Sequence, residues 1–216
     1  MTKLIWDEAG SHLYEAGTRM VVLYPRTGSG YGTGVAWNGV TGITEKPSGA
    51  EETKLYAGDA KYLSLRSAEE FAATLSAYTY PDEWAACDGS KELKPGVRIG
   101  MQNRTGFGLC YRTIVGNDTE GEDFGYKLHL VYGCLAAPSE KAYASINDSP
   151  EATTFSWEIS TTPVAVTGAR PTATLTIDST QIDPTKLALI EKSLYGDTSS
   201  EPTLLLPDAI VALIGE

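Results

Sequence analysis

The chain has 216 residues, 42% of them hydrophobic, enough to bury a core, and a single domain spanning 1–216 is expected. Its formal net charge of -11 argues against a partner held through its phosphates, because such binding draws on Lys and Arg that displace counterions. No apolar run reaches the roughly 18 residues of a membrane helix, and the start, Met1 to Asp7 (MTKLIWD), has no apolar signal-peptide core; no membrane association and synthesis in the cytoplasm are expected.

Twenty-two glycines and 11 prolines, with short apolar runs between turn signals, point to a mainly β fold. Thr18 to Tyr24 (TRMVVLY) reads as a buried strand before Pro25, whereas Thr27 to Gly34 (TGSGYGTG) is too rich in glycine for regular structure. Val35 to Thr44 follows, then a polar stretch from Thr44 to Thr53 that reads as a solvated loop or hairpin tip, and a short run from Lys54 to Gly58.

Leu63 to Asp88 reads as one long strand that ends at Tyr80-Pro81. Within it Phe71, Ala73, Leu75, Ala77 and Thr79 alternate with Ala72, Thr74, Ser76, Tyr78 and Tyr80, so one face is apolar and the other rich in hydroxyls. A helix opened by the capping box Ser67-Ala68-Glu69-Glu70 is the competing reading, but Thr, Tyr and Phe in the later half favour the strand. Asp82 to Phe107 is a second irregular region, with turns at Asp88-Gly89 and Pro95-Gly96.

Phe107 to Val115 pairs with Tyr126 to Leu135 as a hairpin whose acidic tip is Asn117 to Asp123. Thr153 to Ile159 and Ala173 to Ile177 are further strands. One helix is convincing: Asp183 caps it, Pro184 fits its first turn, Leu187, Ile190 and Leu194 form a stripe, and Gly196 ends it. A final strand, Thr203 to Leu206, and an apolar tail, Ala209 to Ile214, close the chain.

No constellation for catalysis, cofactor or metal is expected. A nucleophilic triad needs a base, and the only histidines are His12 and His129, the latter given a structural place by the alternation of Lys127 to Val131. Gly28, Gly30, Gly32 and Gly34 match no nucleotide fingerprint, and Gly34 to Gly39 has phosphate-loop spacing but Val40 where the Lys belongs. Asp118, Glu120, Glu122 and Asp123 lack the distal Glu of a calcium loop, since His129 falls there, so a solvated tip is the better reading. Cys87, Cys110 and Cys134 read as buried thiols, although one register of the hairpin sets Cys110 opposite Cys134. The sequons at Asn103 and Asn117 read as chance matches without a secretory signal.

Read in order, Tyr31 to Gly39 (YGTGVAWNG), Glu69 to Asp88 (EEFAATLSAYTYPDEWAACD), Phe107 to Thr113 (FGLCYRT), Gly125 to Gly133 (GYKLHLVYG), Pro138 to Tyr143 (PSEKAY), Asn147 to Ala152 (NDSPEA) and Thr162-Pro163-Val164 form a series. That series resembles the major tail protein, or tail tube protein, of long-tailed phages and prophages of Gram-positive bacteria. The resemblance implies a β-sandwich or barrel-like fold with a flanking helix, and copies of the chain joined in hexameric rings that stack into a tube. It further implies a virion tail assembled in the host cytoplasm, with a tape measure protein, a tail terminator and a distal tail or baseplate protein as partners. DNA would pass through the lumen without specific binding, as an acidic surface allows. With so little sequence after Leu206, the immunoglobulin-like domain that some relatives append is not expected. Glu69, Glu70, Phe71, Leu75, Tyr78, Tyr80 and Trp84 are the candidates for the subunit interface or inner barrel. The competing readings are a tube protein of a contractile injection apparatus and a stand-alone carbohydrate-binding module using Trp84, Tyr78 and Tyr80 as a sugar platform.

Overall fold

The computed structural model describes residues 4–28, 30–145 and 152–215. Met1 to Lys3, Ser29 of the glycine run, and 147–151 of the segment NDSPEA lie outside the described residues. In chain order the elements are β1 (Tyr14–Thr27), β2 (Gly30–Tyr31), β3 (Val35–Ala36), β4 (Val40–Glu45), β5 (Ser48–Gly49), β6 (Glu52–Ala57), β7 (Ala60–Arg66), β8 (Glu69–Glu70) and β9 (Ala72–Ala77). There follow α1 (Trp84–Cys87), β10 (Lys91–Lys94), β11 (Val97–Ile99), β12 (Phe107–Asn117), β13 (Gly121–Ala136), β14 (Phe155–Thr161), β15 (Thr174–Asp178), α2 (Pro184–Tyr195) and α3 (Pro207–Gly215).

The predicted hairpin is the spine: β12 and β13 pair antiparallel from Phe107↔Cys134 to Asn117↔Gly121. From it the main sheet runs β2-β1-β12-β13-β14-β9-β4, with β15 also on β13 and β3 also on β1. Segment 35–45 therefore pairs with β1 through β3 and with β9 through β4, so the two ends of the path meet and the sheet curls into a barrel-like, sandwich-type fold.

Alternation along these strands builds two cores. Leu109, Tyr111, Val131, Cys134, Trp157, Ile159, Leu75 and Ala77 point inward with Trp37 and Trp84, while Cys110, Leu128, Leu130 and Tyr132 point outward against Leu187, Ile190 and Leu194 of α2 and Ile210 of α3. Inside, Trp37 lies 4.6 Å from Trp84 and 5.6 Å from Trp157 between ring centroids, in tilted and edge-on geometries. Strand β13 serves both layers by bending at Gly133 (φ 59°): Lys127 to Val131 pair with β15, and Cys134 to Ala136 with β14. A Cβ at Gly133 would stand 2.1 Å from the Thr162 carbonyl oxygen, so the bend demands glycine.

Helix α2 matches its sequence signals. The Asp183 carboxylate accepts from the backbone N–H of Thr185 at 2.8 Å and of Lys186 at 3.3 Å, Pro184 opens the helix, and Gly196 closes it at φ 74°.

Three expectations are corrected. The strand from Leu63 onward is three separate strands, because β8 turns aside to pair with β5 and only β9 joins the main sheet; the alternation within β9 holds, with Ala73, Leu75 and Ala77 buried. Thr203 to Leu206 form no ladder: Thr203 donates its N–H to the Ser193 carbonyl, and the Leu205 carbonyl accepts from the Tyr132 hydroxyl at 3.0 Å. The apolar tail is the helix α3, opened by Pro207, and a single turn, α1, lies in the region read as irregular. Of the registers open to the hairpin, the one adopted pairs Cys110 with Leu130, and Cys110 and Cys134 lie as buried thiols in different cores.

Candidate assembly surface

Two hairpins stand off this body. The first, β6–β7, closes through Gly58 and Asp59, both near φ +60°, as a two-residue loop of the type that follows the strands' twist. Every residue of β6, and all of β7 but Ser64, is exposed, including Tyr62 at 76%, Tyr56 at 67%, Leu65, Leu63 and Leu55. The second, β10–β11, turns at Pro95-Gly96 with Gly96 at φ 80° and exposes Leu93, Val97 and Ile99, followed by Met101. An isolated two-stranded hairpin is marginal in water, and these two gain nothing from the core on either face. Polar ties stiffen them: Lys61 and Ser64 both donate to Glu52, holding its carboxyl below the usual range, and Arg98 donates to Asp82 at 2.7 Å. The sequence divides β6–β7 among the loop or hairpin tip that ends at Thr53, the short run Lys54 to Gly58 and the start of the strand read from Leu63, although Gly58-Asp59 between apolar stretches is a hairpin signal.

The predicted interface residues divide. Glu69 and Glu70 are exposed on β8, near the root of the β6–β7 hairpin, and Tyr78 is 54% exposed beyond the end of β9. Phe71 is half-buried, as is Tyr80, whose ring meets Phe155 and Trp157 edge-on. Leu75 and Trp84 are wholly buried in the inner core. Of the three aromatics read as a sugar platform, Trp84 is buried, Tyr80 half-buried and Tyr78 exposed.

No family model matches this chain, and a search of curated proteins finds none similar to it. Function must therefore be read from the surface and its chemistry.

An ionisable cluster gathers side chains of β1, β4, β12 and β13. His129 stacks on Tyr111 with centroids 4.8 Å apart, and its Nε2 is 2.9 Å from the Thr113 hydroxyl. Thr113 in turn donates to Glu15 at 2.6 Å, so the imidazole Nε2 carries the proton and donates to Thr113. Lys127 donates to the other Glu15 oxygen at 2.6 Å, and the Tyr111 hydroxyl donates to Glu45 at 2.5 Å. Burial pushes the His129 imidazole below its ordinary pKa, outweighing the pull of Glu15 and Glu45. Burial pushes the Glu15 carboxyl up, but the bonds from Lys127 and Thr113 win and hold it low. Each partner here is spoken for by another side chain. Among the described residues, no group of three or more His, Cys, Asp and Glu is placed to hold a metal ion.

The cysteines are free and buried, and burial pushes the Cys87 and Cys110 thiols up to about 12 and that of Cys134 higher still, which leaves no thiolate at neutral pH. Asn117 of the second sequon is buried, accepting from the N–H groups of Thr119 and Glu120 as the fastening of the hairpin turn.

Proposed function

We propose that this chain is a structural subunit that assembles with copies of itself, as the tail tube protein of a long-tailed phage or prophage: rings of six that stack into a conduit for DNA. The observation that carries the reading is the β6–β7 hairpin, whose leucines and tyrosines the monomer leaves uncovered on both faces. Apolar side chains projected in this manner are stabilised when a neighbouring copy covers them, at about 25 cal/mol per Å² of apolar surface removed from water. The ordered resemblance along the sequence gives the kind of assembly, and contacts that do not close along the axis extend as a filament. A net charge of -11 suits a lumen along which DNA slides.

The test is electron microscopy of the concentrated protein, alone and beside a tail initiator complex. Rings or tubes are expected for the natural chain, and folded monomers for the double variant Tyr56→Ser/Tyr62→Ser. Persistent monomers of the natural chain under both conditions, or unaltered tubes from the variant, would count against the reading. Tight, salt-sensitive binding of duplex DNA to assembled tubes would remove the sliding-conduit part.

A further inference from the structure

The first half of β1 is attached to the body differently from the second. From Val21 to Tyr24 the strand is buried, but of Tyr14 to Met20 only Thr18 is even half-buried. Between the halves the register against β12 shifts twice, Gly17 sits at φ 72° and Met20 at φ 53°, a left-handed conformation that a side chain like methionine's disfavours. Little apolar burial therefore holds this half.

What does hold it is polar, and it ends on carboxylates at three points. At the leading end Asp118 accepts from the Gly10 N–H at 3.0 Å and pairs with His12 at 3.0 Å. In the middle Glu15 accepts from Thr113 and Lys127 and lies 3.4 Å from His129 Nε2. At the trailing end Arg19 donates to Glu122 at 3.1 Å. Asp118 also accepts from the His12 N–H at 3.4 Å, and Asn117 Nδ2 donates to the Gly10 carbonyl at 3.3 Å.

We propose that residues 10–19 form a strap over the β12–β13 hairpin, latched by Asp118, Glu15 and Glu122, that detaches in acid while the barrel stays folded. The charged and titratable groups facing the central latch are Lys127 and His129 from β13, Tyr111 from β12, Glu45 from β4 and Asp178 beside Lys127 from β15. Protonating Glu15 removes the acceptor for Lys127 and Thr113 and the anion 3.4 Å from His129 Nε2, and a second proton on His129, which burial opposes more than Glu15 draws it, is accommodated once release returns the imidazole to water. Both events favour the open strap. Release uncovers the backbone edge of β12 from Arg112 to Gly116, the edge on which β1 now pairs, and opens the groove between Leu13, Val115 and Phe124. The inference rests on the monomer alone and is independent of the assembly reading.

Amide hydrogen exchange on the full monomeric chain, expressed as protection relative to the unstructured rate, tests it. At pH 7 the variant Glu15→Gln is expected to lose protection at 14–19 roughly tenfold, the scale of one charge-assisted hydrogen bond, with Leu109 to Tyr111 and Leu128 to Val131 unchanged. The natural chain is expected to show the same selective loss as pH is lowered from 7 to below the ordinary carboxylate range, since Glu15 and Asp118 are both held low. In His129→Gln that loss should move to lower pH, since carboxylates alone remain to titrate. Protection at 14–19 that ignores both the variant and the pH overturns the strap, as does loss in step with the core strands. An unmoved midpoint in His129→Gln removes His129 from the latch.

Discussion

The β12–β13 hairpin and the β6–β7 hairpin are made of similar residues and have opposite fates. Both carry leucines and tyrosines on antiparallel strands. In the first, Leu109, Cys110, Leu128, Leu130 and Tyr132 are all buried, because one face closes on the tryptophans and the other on α2 and α3. In the second, Leu55, Tyr56, Tyr62, Leu63 and Leu65 meet solvent. Strand formation is thus separable from burial. A short loop of the right hand and cross-strand pairing suffice to shape a hairpin, whereas its stability comes from what covers it.

Mutations should widen this contrast. The largest loss is expected from Trp157→Ala, which empties the centre of the inner core and should cost about 3–5 kcal/mol in a denaturant titration. Gly133→Ala should cost about 2–3 kcal/mol by the same measurement, since the new Cβ meets the Thr162 carbonyl in a backbone conformation that already disfavours a side chain. Asp183→Ala, which uncaps α2, is expected to cost about 1 kcal/mol. Tyr56→Ser/Tyr62→Ser should change monomer stability by no more than about 0.5 kcal/mol while abolishing tubes. A comparable loss from the hairpin pair and from Trp157 would break the contrast.

Acid should act on the packed region through the cluster around His129. The folded His129 has a lowered pKa, so the unfolded chain takes up the proton first, and the stability due to its neutral form is lost as pH falls from about 6.5 through the folded value. The folded Glu15 carboxyl is also lowered, so its contribution is present above pH 4.5 and lost as pH falls through its folded value. Denaturant midpoints measured from pH 7.5 to 4 should therefore fall in the natural chain, and His129→Gln should flatten the upper part of that slope.

Legibility followed the range of the forces. Helix α2 was readable in full, because Asp183, Pro184, the Leu187–Ile190–Leu194 stripe and Gly196 act within a few residues of one another. The β12–β13 pairing was readable because alternation and an acidic turn are local. The break between β8 and β9 was not, since it depends on β5 competing for Glu69 and Glu70. Nor was α3, because a continuous apolar run such as Ala209 to Ile214 carries no period to distinguish helix from strand. Of the candidate residues, the exposure of Glu69, Glu70 and Tyr78 and the burial of Leu75 and Trp84 could not be told apart in the sequence: a tryptophan near Pro81 and Asp82 looks like a loop aromatic until the barrel closes over it.

By itself the sequence determined a mainly β chain with alternating strands, one capped helix and a net negative charge. Tertiary structure decided which alternating faces were covered. The two-core arrangement, the bend at Gly133, the burial of Trp84 and the nakedness of β6–β7 all depend on neighbours far along the chain. Local dihedral preference and side-chain period are written in adjacent residues, but the removal of apolar surface from water is settled only when distant segments meet.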